Sequence, residues 1–437
     1  MSTPRETTLS LLDELFGGFS GHGFEVRLWD GSTWRPAGNQ TPRFAFVLRH
    51  AGALRRMFLP GNEVGMAEAY LYDDFDVEGN LEDAFPLAEF LLAQHPGTAK
   101  RLSVLRGLLR LPAIRRPTAG RRAARTKGRL HSLQRDRAAV TYHYDTSNDF
   151  FALWLGTRMA YSCGYYSSSS DDLDTAQERK LDYVCRKLRL SPGERFLDIG
   201  CGWGGLVIYA AERFGVNALG ITLSKPQVDL ANERIHHAGL SARCRVELKD
   251  YREMDAPGAF DKIASIGMFE HVGEDLLPLY FSRARQLLRP QGVFLNHGIA
   301  AARTETARRP PTFSDRYVFP DGEPQPLHTT LRAAAEIGFE VRDVESLREH
   351  YAWTLRHWVR RLEAHHEEAV RSTDEPTYRV WRLFLSGSAY RFAIGRQNVY
   401  QTLLVKSENG ISGLPLTRDD WYSTDAAATG SSLSPPV

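Results

Sequence analysis

One stretch of the 437-residue chain concentrates glycine directly after a short apolar run: Leu197-Asp198-Ile199-Gly200-Cys201-Gly202-Trp203-Gly204-Gly205. Without a Cβ, such a turn at the carboxyl end of a strand lets the backbone approach a ligand closely. A dinucleotide site would also need an acid closing the second strand to hold the ribose, and this chain has Ile221-Thr222 there. An Asp-x-Gly-x-Gly turn after a strand suits S-adenosylmethionine instead, which has no pyrophosphate to seat. Taken alone, the same turn also fits a tight structural bend. Five other residues could carry chemistry. Glu270 and His271 adjoin on a predicted loop without the i,i+4 spacing of helical ligands, so no metal is expected. Cys163 stands alone beside Ser162 with no base at a telling distance, which favours a backbone role over a nucleophile. His297 closes a predicted strand and by itself also reads as a structural histidine. Gln227, three residues after Ser224, fits a capping box as well as a ligand contact.

Alternating elements must position these groups. Leu181, Val184 and Leu188 lie at helical spacing, and Phe196–Ile199 reads as a strand. A helix follows over Leu206–Phe214, stopped by Gly215, then a strand over Asn217–Ile221 and a helix ending near Gly239. Arg245–Leu248, Phe260–Ile266 and Val293–Asn296 read as further strands. Such alternation predicts an α/β unit with a mostly parallel sheet covered by helices on both faces. Residues 1–99 read as a smaller α/β unit, with strands in FEVRLWDG and PRFAFVLRH and an amphipathic helix in NLEDAFPLAEFLLAQ. The expected divisions are 1–99, a basic connector over 100–139, a catalytic domain over 140–422, and a disordered tail over 423–437.

Composition narrows the classes. A chain 42% hydrophobic and 25% charged is neither collagen-like, mainly disordered nor a disulfide scaffold. Its four cysteines, Cys163, Cys185, Cys201 and Cys244, are too scattered for a disulfide frame. No apolar run reaches a membrane span, and the acid-bearing start is a poor signal peptide, so a cytosolic setting is expected. The net charge of +2 hides an asymmetry: 13 Lys+Arg and one acid, Asp136, lie between Lys100 and Arg137. That segment reads as a solvated linker or as a binder of anionic surfaces. Leucines among its first arginines favour a membrane interface, and no RNA-binding module accompanies them, so no nucleic-acid partner is expected.

The wider pattern carries a resemblance. It runs through His143-Tyr144-Asp145 with Asn148-Asp149, Tyr161-Ser162-Cys163-Gly164-Tyr165, LDIGCGWGGL at 197–206, and Gly220-Ile221-Thr222-Leu223-Ser224 with Gln227. It continues through Asp250-Tyr251-Arg252, Gly267-Met268-Phe269-Glu270-His271-Val272-Gly273, Tyr317-Val318-Phe319-Pro320, and His350-Tyr351 with Thr354-Leu355. In order and spacing, residues from about 140 to 405 resemble the cyclopropane-fatty-acyl-phospholipid synthase family, which includes the mycolic acid cyclopropane synthases. The N-terminal unit and the basic connector resemble the phospholipid-acting branch.

The resemblance implies a class I S-adenosylmethionine-dependent methyltransferase fold, Rossmann-like, with a small N-terminal lipid-engaging domain. It implies methylene transfer to the cis double bond of phospholipid acyl chains, with bound bicarbonate as the base that completes a cyclopropane ring. The bicarbonate ligands implied are Glu270, His297 and Tyr351 through side chains and Cys163 and Ile299 through backbone N–H groups, with Tyr144 beside the transferring methyl. The implied cofactor set is Tyr161, Ser162, Asp198, Gly200, Gly202, Thr222, Leu223, Gln227, Tyr251 and Arg252. Peripheral association with the inner face of an anionic membrane follows, and a homodimer stays an option. One departure stands out: Ser388 occupies a position where the family often has cysteine. A product with a methylene or methyl branch, and a non-catalytic lipid-binding relative, are the alternatives.

Overall fold

The computed structural model describes residues 2–38, 41–94, 97–114, 120–144, 146–302 and 311–422. The expected tail, 423–437, lies outside the described residues, as do Arg115 and Arg116.

The chain opens with a helix, Pro4–Phe16, started by a reciprocal capping box between Thr3 and Glu6 with Pro4 in the first turn. Its buried face, Leu11, Leu12 and Phe16, packs on a four-stranded sheet of order β2-β1-β3-β4. These strands are β1 (Phe24–Arg27), β2 (Thr33–Trp34), β3 (Phe44–Leu48) and β4 (Phe75–Gly79). Phe24 and Phe44 stack at 5.5 Å across the parallel β1–β3 pair. Helices Glu63–Leu71 and Phe85–Ala93 complete the unit. Both sequence-predicted strands and the amphipathic helix are present.

The basic stretch differs from the expected connector. Thr98–Arg110 is a helix whose inner face buries Leu108 and sets Gly107 against Leu11, so it belongs to the N-terminal unit. Leu102, Leu105 and Leu109 lie exposed on its opposite face. Further on, Arg121 donates to the Tyr317 carbonyl at 3.1 Å and lies over the Tyr142 ring. Arg135 forms a bidentate pair with Asp321. Apolar spacing folds the first part, and in the second part Arg135 and Arg137 are ion-paired, with Asp321 and Glu253.

The larger unit has a seven-stranded sheet of order β10-β11-β9-β8-β5-β6-β7. Its strands are β5 (Arg195–Ile199), β6 (Asn217–Thr222), β7 (Cys244–Leu248), β8 (Phe260–Ile266), β9 (Leu288–Ala301), β10 (Glu340–Ser346) and β11 (Gln397–Val405). The five from β7 to β9 run parallel, and β11 runs antiparallel to both neighbours. This is the Rossmann-like α/β architecture expected. The helix Gly205–Phe214 ends on Gly215 in the left-handed conformation, as the sequence predicts. Among the described residues no helix is long and apolar enough to cross a membrane.

One apolar core joins the two units, and buried arginines stitch them together. From helix Glu375–Ala393, Arg379 donates to the Tyr70 carbonyl, Asp73, Asp76 and Glu375, and Arg382 to Glu363, the Tyr70 hydroxyl and the Val77 carbonyl. Arg379→Met should cost about 2–4 kcal/mol in urea unfolding, because several charge-assisted bonds vanish while their acceptors stay. Limited proteolysis should then cut between the units faster than in wild type; equal cleavage rates would show that the apolar core alone holds them.

Candidate active site

A cavity of about 110 Å³ opens where β5, β6 and β8 end, lined by Gly200, Gly202, Thr222, Leu223, Gln227, Asp250, Tyr251, Arg252 and Met268. The sheet builds it directly. Gly200 and Cys201 donate their N–H groups to the Ile221 carbonyl at 2.9 and 3.0 Å, pinning the glycine turn to β6. Gly200 has φ +84°, and a Cβ there would strike the Met268 side chain at 2.6 Å. At Gly202, φ +54°, a Cβ would meet no atom within 4 Å, so the turn leaves room for a ligand.

The surrounding polar groups suit a zwitterionic cofactor bearing an adenosine. Asp198 is buried at the end of β5; burial pushes its carboxyl up to about 7 against the pull of Lys180, and Oδ1 has no partner among the described residues. The Thr222 hydroxyl donates to Gln227 Oε1 at 2.7 Å, which leaves the buried Gln227 Nε2 free to face Tyr144. Ser224 makes no side-chain cap, so the capping reading of Gln227 gives way to that contact.

Arg252, expected as a ligand contact, lines the cavity and also holds its cover. It pairs with Asp250 and with Asp136 at 2.9 Å, and donates to the His131 carbonyl. These bonds clamp helix Leu133–Tyr144 over the cavity, which Asp136, His143 and Tyr144 of that helix also line. Sequence reasoning assigned Asp136 no role; its being the lone acid in a basic run was the available signal. Tyr161 and Ser162 lie behind the cavity wall. The Tyr161 ring packs among Trp154, Trp358 and His143, and the Ser162 hydroxyl accepts from the fully buried Lys180 at 2.9 Å.

A second group of buried polar atoms adjoins. Glu270 accepts the Ile299 N–H on Oε1 at 2.6 Å, leaves Oε2 without a partner, and is pushed up to about 7 by burial. The Ile299 N–H is thus occupied by Glu270, where the resemblance implied a donor to an anion. His297 receives a bond from Gln401 on Nδ1 at 3.2 Å, which places its proton on Nε2, an atom with no partner among the described residues. Burial drives its pKa down to about 3, so the ring is neutral. Gln401 faces His297 across the β9–β11 pair, a register the sequence does not print. Tyr351 is buried on Phe392 at 4.7 Å, and burial raises its phenol far above the ordinary value, so the hydroxyl is neutral. Desolvation pushes Tyr144 up to about 12, with Gln227 and Glu270 as its polar neighbours. Burial raises the Cys163 thiol far above its ordinary value, which removes it as a nucleophile and leaves the backbone reading. Among the described residues, no three His, Cys, Asp or Glu side chains converge as metal ligands.

Comparison with known proteins agrees with this geometry. The family description "Mycolic acid cyclopropane synthetase" matches residues 131–402. A probable fatty acid methyltransferase of Mycobacterium tuberculosis is 36% identical over 428 residues, covering 95% of this chain and 99% of its own. The cyclopropane-fatty-acyl-phospholipid synthase of Escherichia coli is 36% identical over 287 residues, covering 65% and 72% respectively. The crystal structure of the mycolic acid cyclopropane synthase CmaA1 with SAH and CTAB superposes with a TM-score of 0.58 at 35% identity, over 62% of this chain and 98% of that one.

Gly202→Val should abolish S-adenosylhomocysteine binding in calorimetry, because the new side chain enters the open space beside the turn. The left-handed φ adds strain of about 1–3 kcal/mol, so thermal unfolding should shift modestly and stay cooperative. A folded variant with wild-type affinity would place the cofactor elsewhere.

Proposed function

The chain belongs to the mycolic acid cyclopropane synthetase family, S-adenosylmethionine-dependent enzymes that transfer a methylene to unsaturated acyl chains, and we propose that its acceptor is a phospholipid acyl chain and its base a bicarbonate held beside Glu270. The observation that carries the reading is two buried polar atoms without a partner among the described residues, Glu270 Oε2 and His297 Nε2, close in the fold to the cofactor cavity: its lining residue Gly267 donates to the His297 carbonyl, and Glu270 follows two residues after its lining residue Met268. Both have lost water, and a small oxyanion would satisfy them.

S-adenosylmethionine supplies an electrophilic methyl, and bicarbonate accepts the proton that the transferred carbon loses. The protein does the rest. The glycine turn and Gln227 hold the cofactor; Tyr144 offers its ring face to the cation that grows on the alkene. His297 keeps its Nε2 proton aimed outward because Gln401 fixes the tautomer. Tyr351 adds a neutral hydroxyl. Glu270 in its ionised form would accept a hydrogen bond from the O–H of bicarbonate and so keep the base oriented. Phe151, Trp154, Trp358 and Trp381 exclude water behind Tyr161, so the developing charge is stabilised by fixed groups.

Product type is a separate question. The full-length mycobacterial relative carries the name fatty acid methyltransferase, which favours a methyl or methylene branch as the second reading. Ser388, where the family often has cysteine, lines the larger cavity against the N-terminal unit and not the one at the glycine turn, so its replacement leaves the proposed base site intact. Expression in a host lacking the activity, followed by lipid mass spectrometry and NMR, separates the outcomes. Phospholipids gaining one CH2 with high-field ring protons support ring closure, vinylidene protons support the branch, and an unchanged lipid profile defeats both.

Glu270→Gln should lower turnover by at least about 100-fold while leaving cofactor affinity nearly unchanged, since it removes proton handling and not loading. Because burial raises Glu270 to about 7, its active carboxylate accumulates as pH rises through that value. The wild-type kcat/KM should therefore climb through about pH 7, and bicarbonate-depleted buffer should slow it. Indifference to all three changes would mean another base.

The surface that reaches lipid is proposed to be helix Thr98–Arg110. Leu102, Leu105 and Leu109 stand exposed on the face away from the core, with Lys100, Arg101, Arg106 and Arg110 exposed beside them. Each cation near an anionic surface contributes about 1 kcal/mol, a reversible attachment that salt screens. Arg101→Gln and Arg106→Gln combined with Leu105→Ser and Leu109→Ser should reduce co-sedimentation with anionic vesicles and spare activity on detergent-dispersed lipid. Vesicle binding unaffected by salt and by these changes would move docking to another face.

A further inference from the structure

A cavity of about 310 Å³, larger than the one at the glycine turn, lies between the N-terminal unit and helix Glu375–Ala393. One wall is Phe384, Gly387 and Ser388 of that helix. The facing wall is built by the N-terminal unit, where Phe46, Met66, Phe85 and Ala88 line it. Phe85 is held rigidly: it stacks on Tyr390 at 5.7 Å, and only glycine at 387 admits it, since a Cβ there would meet its ring at 2.9 Å. The two cavities are one aromatic pair apart. Phe319 lines the cofactor cavity, and its ring centre lies 5.4 Å from that of Phe384.

Resting on the function proposed above, we infer that this second cavity receives the segment of the acyl chain beyond the double bond, and that the N-terminal unit sets how long or branched that segment can be. Three observations point to this occupant. The lining on both walls is mainly apolar, as a hydrocarbon requires. Its near end stands beside the aromatic residues that border the reacting groups, so a chain held at the cofactor and continuing past Phe319 has this space to enter. The CmaA1 structure matches only 62% of this chain while almost all of CmaA1 is used, whereas the fatty acid methyltransferase relative matches the chain nearly end to end. The facing wall therefore distinguishes this chain from the shorter enzymes and gives it a means of selection they do not share. A wall of packed side chains discriminates by size because both overfilling a packed site and leaving a gap in it are unfavourable.

The test uses the full-length protein and phospholipids whose double bond lies at a fixed distance from the ester but whose distal segment varies in length. Ala88→Phe should lower kcat/KM on the longest distal segments by about 10-fold or more and leave the shortest within about 2-fold, the range expected for methylene-scale pocket changes. Met66→Ala should shift preference the other way, toward longer or branched segments. A direct readout accompanies turnover: binding of a fluorescent polyene fatty acid should weaken in Ala88→Phe while S-adenosylhomocysteine affinity stays at its wild-type value. If the wild type transfers a methylene but neither variant changes the length profile or probe binding, this inference fails and the proposed function stands. If no acyl chain is modified while the probe still responds to Ala88→Phe, the cavity assignment stands and the proposed function fails. Should Ala88→Phe not fold, Met66→Ala decides through the same two readouts.

Discussion

Keeping ionisable groups out of water is the constraint around which this protein is organised. Asp198, Glu270 and His297 are all buried, and desolvation moves each toward its neutral form. Such groups are costly unless something compensates, and the compensation explains much of the local structure. Ile299 gives Glu270 its N–H, Gln401 gives His297 its bond, and Lys180 lies near enough to Asp198 to draw its carboxyl back toward ionisation. What remains uncompensated among the described residues is one atom of each group: Asp198 Oδ1, Glu270 Oε2 and His297 Nε2. A weak nucleophile such as an alkene needs this arrangement, because a dry pocket of fixed dipoles stabilises a cation that bulk water would capture.

Dryness also explains the covering elements. Helix Leu133–Tyr144 reaches the aromatic core only at its end, where His143 stacks on Phe319 and Tyr144 meets Trp203, and the rest of it buries little beyond Ala139. It is anchored by charge: Arg252 to Asp136, Arg135 to Asp321, and His131 between Asp136 and Glu323, where those acids raise the imidazole to about 9. An ion-paired cover can open to admit a cofactor more readily than a packed one, since water can replace its contacts. The wall around Tyr161 is the opposite case, a continuous set of tryptophan and phenylalanine rings that belongs to the common core of both units.

How far the site was legible follows from the same physics. The glycine turn, the strands from β5 to β8 and the helix stop at Gly215 are local: their residues contact what lies next to them in sequence, so periodicity and turn chemistry reveal them. β10 and β11 were not read from the pattern. The burial of β10 lacks clean alternation, and β11 matters through its register with β9, which no local rule specifies. The role of Gln401 depends on that register. The basic stretch was legible as charge but not as structure, because pairing partners such as Asp321 and Tyr317 stand about 190 residues away.

By itself, then, the sequence determined the Rossmann-like class, the cofactor turn and the collinear residues that mark the family, since each rests on neighbours in the chain or on spacing between short motifs. Only the tertiary structure decided that Glu270 occupies the Ile299 N–H, that Arg252 clamps a cover, that the start of the connector is a helix of the N-terminal unit, and that the two units enclose an apolar cavity. Each of these depends on which distant surfaces meet. Burial and pairing energies are properties of that meeting, and no segment carries them before the chain has folded.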